Sequence, residues 1–376
     1  RAGGTSLAGQ CVGDGLVVDV SKFMNNILEV NVEEGWVRVQ PGVIRDELNE
    51  HLKPLGLFFG PNTSTANRAM IGGMVGNNSS GTTSIQYGVT RDKIIELKTI
   101  LSDGSEAVFG ELSSVEFHDK LKLKNLEGEI YRTVYNELND SKIQKRISDN
   151  FPHKEIHRRN TGYAIDELIK TSVFTNSTSS FNMCKLLSGS EGTLAFTTEI
   201  TLQLDNLPPS ETVMIAAHFN SIENCLKSVT TVMHHNLYSC EMMDKTILDC
   251  TKHNKQQHEN RSFISGDPEA ILMCELRANN LEDLNIQKNK LIEELKSLRL
   301  SYQNAILKND EIEKANELRK AGLGLLGNII GDEKTAACIE DTAVALEDLS
   351  SYINEFSELM ESYNQKAVYY AHAGAG

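Results

Sequence analysis

The residues best placed to do chemistry lie in three glycine-rich loops and around one histidine. Residues 60–81 read GPNTSTANRAMIGGMVGNNSSG, and stretches of the same texture run from Arg1 to Gly9 and from Ser188 to Thr193. Glycine lets backbone approach a ligand and take φ > 0 at little steric cost. The hydroxyls and amides between the glycines donate and accept without charge, and successive main-chain N–H groups can form anion-binding nests. One such loop alone is equally well read as mobile polar surface; three of them tilt the reading towards a cofactor site. His372 follows the uncharged run Ala367–Ala371 and opens Ala-Gly-Ala-Gly. A histidine at a strand end before a glycine turn is placed to meet a ligand, although a lone histidine is more often a satisfied polar residue. His218, His234 and His235 form no ligand spacing with it and read as structural or exposed.

Gly322-Leu-Gly-Leu-Leu-Gly327 matches GxGxxG, but that fingerprint requires a strand before it and a helix after it. Here the charged, helical Asp310–Lys320 precedes it, so a Rossmann site is rejected. Glu340-Asp341 reads as a solvated turn rather than a general base pair.

The totals narrow the class. With 376 residues and 40% apolar content the chain can build two or three cored domains. A net charge of −15 argues against nucleic acid and anionic membrane as partners, so an anionic substrate needs local Arg or Lys. Seven scattered cysteines without CxxC argue against a disulfide framework, a zinc ribbon or an iron–sulfur cluster in this stretch. They suit a reducing compartment: cytoplasmic, either free or peripheral at the inner membrane. The longest uncharged apolar run, residues 321–331, has 11 residues, well short of the ~20 of a membrane span. The chain starts inside one glycine loop and stops inside another, so both ends read as cut.

The elements that must carry these loops alternate in period. Gly15–Val20 and Gly35–Gln40 read as strands, Val43–Leu55 as an amphipathic helix closed by Gly56, and Ile94–Leu101 as a strand before a turn at residues 102–105. Lys122–Ile147 reads as charged helix, Phe174–Ser180 as a polar loop, Thr197–Leu204 as a strand. Leu207-Pro-Pro-Ser210 is the best linker. Beyond it come a strand at Val213–Phe219, a helix at Ser221–His235, a strand at Ala270–Leu276 and a helix at Leu281–Leu298. Helix Asp310–Leu326, strand Thr335–Ile339, helix Ala345–Tyr363 and strand Lys366–Ala371 complete the chain. The predicted class is α+β, with a ferredoxin-like second half.

The motif series R-x-G-G-T-S-L-x-G, P-x-x-S-T-A-N-R-x-x-I-G-G-M-V-G-N-N-S-S-G, Y-G-V-T-R-D and L-L-S-G-S-E-G-T-L resembles the flavin domain of the FAD-linked oxidases, relatives of vanillyl-alcohol oxidase and of MurB-type reductases. It is most similar to the branch of D-lactate dehydrogenase, glycolate oxidase and D-2-hydroxyglutarate dehydrogenase. The resemblance spans nearly the whole chain, more loosely at residues 111–182 and 241–310. It implies a PCMH-type two-subdomain FAD-binding fold over residues 1–206 and a ferredoxin-like α+β substrate (cap) domain over residues 207–376. Ala2, Gly3, Gly4, Thr5 and Ser6 would bind the FAD pyrophosphate. Ser64, Thr65, Gly72, Gly73, Asn77, Ser80 and Gly81 would line the rest of the diphosphate and the flavin, and Glu191, Gly192 and Thr193 would close the site. Some relatives bind the flavin covalently through a histidine where this chain has Thr5, so the expected FAD is non-covalent.

Leu318-Arg-Lys-Ala-Gly322 and Lys334-Thr-Ala-Ala-Cys-Ile-Glu-Asp resemble the stretches that set an Arg and a Lys against the substrate carboxylate, which points to Arg319 and Lys334. A guanidinium can grip a carboxylate with two parallel bonds. His372 falls on the family's H-x-G-x-G segment. In the metal-dependent branch that histidine, with a second histidine and a later glutamate, binds a divalent metal such as zinc; those two would lie past Gly376. The implied reaction is oxidation of a D-2-hydroxy acid, D-lactate foremost, to the 2-keto acid. The hydride would pass to flavin N5, and the electrons onward to a quinone, a carrier protein or an iron–sulfur domain rather than NAD. The alternatives are a non-catalytic flavin-binding subunit of an electron-transfer complex and a MurB-type reductase, which His372 argues against.

Overall fold

The computed structural model describes residues 1–376 apart from 7, 8, 154, 157, 160, 161, 253, 330, 331, 333, 337, 340 and 341, and apart from the side chains at 323 and 328. Glu340 and Asp341 thus lie outside the described residues. The chain divides into two compact units. Unit 1 holds residues 1–81, 87–154 and 159–207; unit 2 holds 82–86, 155–158 and 208–376.

Unit 1 is built on an antiparallel sheet of β1 (Ile27–Asn31), β2 (Trp36–Val39), β3 (Ile94–Ile100), β4 (Glu106–Phe109) and β5 (Phe196–Gln203), in the order β1-β2-β5-β3-β4. Alternation decides which face is covered: Val37 and Val39 are buried while the alternate residues Trp36 and Arg38 are less so, as a half-buried strand requires. The helices α1 (Arg45–Leu52) and α2 (Ile71–Asn77) add Leu48, Leu52, Ile71 and Met74 to the same core as Leu97, Ile200 and Leu202. Helix α1 stops through a short 3-10 turn, with Gly56 in the left-handed region at φ 77°. The segment Gly15–Val20, expected to be a strand, is not one. Leu16 is 94% exposed and Val17 and Val18 are exposed too; β propensity without a sheet partner does not make a strand.

The long charged stretch before residue 150 splits into two helices, α3 (Leu126–Leu138) and Ser141–Asn150. Asp140 caps the second by accepting from Lys142 N. Its cohesion is aromatic: Phe117 packs edge-on against Phe181, ring centroids 4.6 Å apart, and against Tyr131 at 5.5 Å. Tyr131 Oη is buried with no partner, and burial, helped by Glu127, pushes its phenol up. Because an unmet buried hydroxyl costs stability, Tyr131→Phe should be neutral or stabilise unit 1 by up to about 1 kcal/mol in urea unfolding. A clear loss of stability would show that the hydroxyl is bonded.

Unit 2 runs β6 (Glu211–Phe219), α4 (Ile222–Val232), β7 (Ser239–Asp244), α5 (Lys245–Lys252), β8 (Ala270–Ala278), α6 (Leu281–Leu298), β9 (Ser301–Leu307), α7 (Asp310–Leu325), α8 (Leu349–Ser362) and β10 (Tyr370–Ala371). The sheet order is β9-β6-β8-β7-β10, antiparallel throughout. Strands β6 to β9 with α4 and α6 make the βαββαβ ferredoxin-like motif. Ser221 and Asn280 accept from Asn224 N and Asp283 N, capping α4 and α6 and meeting backbone donors the helix leaves unpaired. Along β6, Val213, Ile215, Ala217 and Phe219 join one cluster with α4, α6 and α8. Met214 and Ala216 join another with α5 and α7. Both faces are therefore covered, and β8 is buried at all but one residue. Thr335–Ile339, expected to be a strand, is not one at its described positions, and the expected final strand shortens to Tyr370–Ala371. GxGxxG begins on α7, as its rejection required. Among the described residues no helix is long and apolar enough to cross a membrane.

Candidate active site

In unit 1 the three glycine loops meet around one short helix, α2. The first loop packs on its start: a Cβ on Gly3 would come 2.5 Å from Arg68 O, and one on Gly73 would come 3.1 Å from Ala2 Cβ. The third loop packs on its end. Gly189 N donates to Val75 O at 2.9 Å and Glu191 N to Gly76 O at 2.8 Å, while Asn77 Nδ2 donates to Glu191 Oε1 at 3.1 Å. Close backbone approach of this kind is what the glycines permit.

Within this frame the candidate cofactor residues divide by environment. Gly3, Gly4, Ser64, Glu191, Gly192 and Thr193 are exposed; Ala2, Thr5, Ser6, Thr65, Gly73 and Asn77 are half-buried. Gly192 has φ 73° and open space where a Cβ would sit. Thr193 Oγ1 lies 2.7 Å from Tyr163 Oη. Two glycines serve the protein's own packing. Gly72 donates its N–H to Pro41 O at 2.8 Å, so that amide is unavailable to a diphosphate, and a Cβ on buried Gly81 would fall 1.5 Å from Asn62 O. Between them Ser80 Oγ is buried with no partner. An orphaned hydroxyl beside three converging loops of main-chain donors fits a nucleotide diphosphate, since a buried polar group otherwise costs free energy.

Arg91, the arginine of the Y-G-V-T-R-D motif, is structural. Arg91 is 6% exposed, and its guanidinium donates to Lys185 O at 3.0 Å and Ser188 O at 2.8 Å. Asn78, left-handed at φ 57°, accepts from Arg91 N at 2.8 Å. Arg91 thus ties the end of the central loop to the third.

In unit 2 the structure brings Arg319 and His372 together and leaves Lys334 apart. Lys334 is exposed, its Nζ donating to Ile329 O at 2.5 Å. The expected pairing of Arg319 with Lys334 is therefore not formed, because residues 334–336 run outside regular structure on the surface. Arg319, on α7, is 3% exposed. Its Nη1 donates to Tyr370 Oη at 3.0 Å and its Nη2 to Ala371 O at 3.2 Å. Its guanidinium carbon stands 4.1 Å from the Tyr370 ring centroid, within cation–π range. Arg319 Nη2 also pairs with Glu241 Oε2. The expected two-bond grip through both terminal nitrogens is thus pre-empted by the protein, and Arg319 Nε is buried with no partner.

Glu241 is the residue sequence reasoning missed. It sits on β7 at 2% exposure, opposed to Met273 on β8. The β7–β10 register places Met242 opposite Ala371, so one step along Glu241 comes beside His372. His372 Nδ1 lies 2.8 Å from Glu241 Oε2 and 3.0 Å from Oε1. Gly374 secures the register from below: a Cβ there would come 2.8 Å from Cys240 Cβ. The signal was present in Ser-Cys-Glu-Met-Met-Asp, where Glu241 stands between the apolar Cys240 and Met242 inside a strand buried along its whole length. Burial alone would raise the Glu241 carboxyl, but Arg319, His372 and Arg158 together hold it below its ordinary value. Burial presses the His372 imidazole below its ordinary value; Glu241 pulls the other way, and Arg319 and Arg158 reinforce burial. A neutral imidazole beside an ionised carboxylate is what a proton acceptor requires. Among the described residues no three His, Cys, Asp or Glu side chains are grouped to hold a metal ion.

Comparison with known proteins adds the following. Residues 1–110 match the model of the FAD binding domain, and residues 208–376 match that of the FAD linked oxidases, C-terminal domain. The chain is 33% identical over 387 residues to D-2-hydroxyglutarate dehydrogenase of Escherichia coli (strain K12), covering 100% of this chain and 37% of that protein. It is 26% identical over 388 residues to mitochondrial D-lactate dehydrogenase (cytochrome) 1 of Saccharomyces cerevisiae, covering 100% of this chain and 54% of that one. It is 25% identical over 382 residues to a glycolate oxidase subunit of Bacillus subtilis (strain 168), covering 100% and 65%. A solved alkyldihydroxyacetonephosphate synthase shares the fold at TM-score 0.57 and 14% identity, over 96% of this chain and 60% of that one. The chain spans under two fifths of the length of the D-2-hydroxyglutarate dehydrogenase it resembles.

Proposed function

The chain belongs to the FAD-linked oxidase family, and from that premise we propose that it is the flavin- and substrate-binding part of a dehydrogenase for D-2-hydroxy acids. One observation carries the reading: a buried arginine with a free Nε–H next to a histidine whose Nε2 is unspent, both on unit 2. A 2-hydroxy acid presents the complementary pair, a carboxylate and a hydroxyl on adjacent carbons. Arg319 would hold the carboxylate, a charge-assisted bond worth roughly 1.5–3 kcal/mol. His372 would take the hydroxyl proton, a positioned transfer that contributes typically ~10²–10⁴-fold. FAD, held non-covalently by the three loops of unit 1, supplies the hydride acceptor when bound. Electrons then leave to a carrier other than NAD.

The family resemblance alone puts D-lactate foremost, although motif spacing does not encode which acid is taken. The greater similarity to D-2-hydroxyglutarate dehydrogenase than to D-lactate dehydrogenase makes D-2-hydroxyglutarate the leading substrate. The test is anaerobic bleaching of the flavin in the full-length protein, with D-2-hydroxyglutarate, D-lactate, L-lactate and glycolate in turn. Bleaching by one D-acid, reduced at least ~100-fold in His372→Ala, is the expected result. A yellow protein that none of them bleaches would overturn this reading and leave the electron-transfer subunit or the MurB-type reductase.

A further inference from the structure

Independently of that reading, we infer that strand β9 is a docking edge for an extended acidic segment of a partner protein, which joins the unit 2 sheet as one more strand. An open sheet edge carries unpaired N–H and C=O groups, and proteins blunt such edges by shortness, charge or proline. The two five-stranded sheets have four edges: β1 and β4 in unit 1, β9 and β10 in unit 2. Strand β1 carries Glu29, ion-paired with Arg38, and β4 carries Glu106. Strand β10 has only two residues. Strand β9 has seven, Ser-Tyr-Gln-Asn-Ala-Ile-Leu, with no charge and no proline. It is paired on one side only, by β6, and its Tyr302 and Ile306 are 41% and 43% exposed. Of the four edges it alone has none of these safeguards, which is the character of an edge that a partner strand covers.

The register with β6 and the charges beside β9 set the chemistry of that partner. Ala305 and Leu307 oppose Ala216 and Met214 and pack with the cluster of α5 and α7. Asn304 and Ile306 oppose Ala217 and Ile215 on the α6 face. There, with Ile292, Lys296 and Arg299, they line an open groove of about 480 Å³. Among the described residues no carboxylate lines that groove. Lys296 and Arg299 are exposed and take part in no ion pair among those residues. On a chain of net charge −15, a local positive groove selects a segment of opposite sign. A strand laid along β9 points successive side chains to opposite faces. Carboxylates on alternate residues then meet Lys296 and Arg299, and apolar residues between them extend the face of Ala305 and Leu307. Main-chain bonds supply the affinity and the alternate side chains the specificity. A second copy docked edge to edge through β9 fits less well. It brings its own Lys296 and Arg299 to the same junction, and like charges across an interface oppose association.

The test adds a fluorescent, end-blocked peptide of alternating valine and glutamate, as long as β9, to the full-length, FAD-loaded protein. Its anisotropy should rise to saturation, and amide hydrogen exchange across residues 301–307 should slow when it is bound. Lys296→Glu combined with Arg299→Glu should weaken binding by about 10-fold or more, because two exposed attractions become repulsions. Two control peptides should bind at least ~10-fold more weakly to the unsubstituted protein. One has the same composition with its valines and glutamates in separate blocks, which removes the alternation. The other has alternate backbone nitrogens methylated, which removes main-chain donors. Equal binding of the alternating and blocked peptides would reduce the effect to charge alone and overturn the proposal. So would unchanged exchange at residues 301–307 with the peptide bound. Exchange already slow throughout 301–307 without peptide would also overturn it, since the edge is then covered by this protein itself; sedimentation would tell a second copy from the rest of its own chain. Should the double variant not fold, the methylated peptide on the unsubstituted protein decides.

Discussion

Arg319→Ala is expected to lower the unfolding free energy of unit 2 by about 3–5 kcal/mol, the usual cost of removing one partner from a buried ion pair. Glu241 would then stay at 2% exposure without its ion pair to Arg319. Tyr370 Oη and Ala371 O would lose their donors as well. The double variant Arg319→Met with Glu241→Leu should recover most of that stability, because replacing a buried pair by apolar side chains of similar volume is often neutral or better. It should recover no flavin reduction, since the carboxylate anchor and the carboxylate behind His372 are both gone. Urea unfolding of the three proteins, with single-turnover bleaching of each, separates the two roles. If Arg319→Ala unfolds like the unsubstituted protein, the cluster is not buried as described. If the double variant still reduces flavin, Arg319 is not the anchor.

Gly81→Ala is expected to abolish FAD binding and cost at least about 3 kcal/mol, the upper end of the range for overpacking. The new Cβ would stand 1.5 Å from Asn62 O. That oxygen belongs to the backbone of the same loop, so no rotamer change relieves the clash. The two ends of the central loop must separate, and with them Ser80 and the start of α2. Gly76→Ala is the control. Its Cβ would have ordinary contacts at 3.7 to 3.9 Å, and alanine is favoured over glycine inside a helix by roughly 0.8–1.0 kcal/mol. Gly76→Ala should remain yellow and stable while Gly81→Ala comes off the column colourless. Equal flavin content in both would break the assignment of the loops to FAD.

Most of the helices and most of the sheet core were legible in the residue order, and the misses share a cause. Ser221 and Asn280 announce α4 and α6 because a cap is a local bond made within three residues. Val213–Phe219 and Ala270–Leu276 announce central strands because apolar runs of that length have few other uses. Gly15–Val20 has the same composition but no neighbouring strand to pair with. Strand β7 hides because its buried stretch carries Glu241, which breaks the apolar run. Where pairing across the sheet overrides local preference, residue order alone misleads.

What the chain determines by itself is therefore its local chemistry: where glycine frees the backbone, where a helix starts and stops, which residue types are present to hold a diphosphate or take a proton. The resemblance in its motifs adds the cofactor that such loops take. Which of those groups meet was decided only by the tertiary structure. Arg319, His372 and Glu241 are 53 and 131 residues distant by pair, and no periodicity links positions so far apart. Antiparallel pairing of β7 with β10 sets Glu241 against His372, and packing of α7 on that sheet face brings Arg319 to the same oxygen. Burial then gives the cluster its meaning, because a carboxylate between two cations acts as a fixed orienting group only where water cannot compete for it.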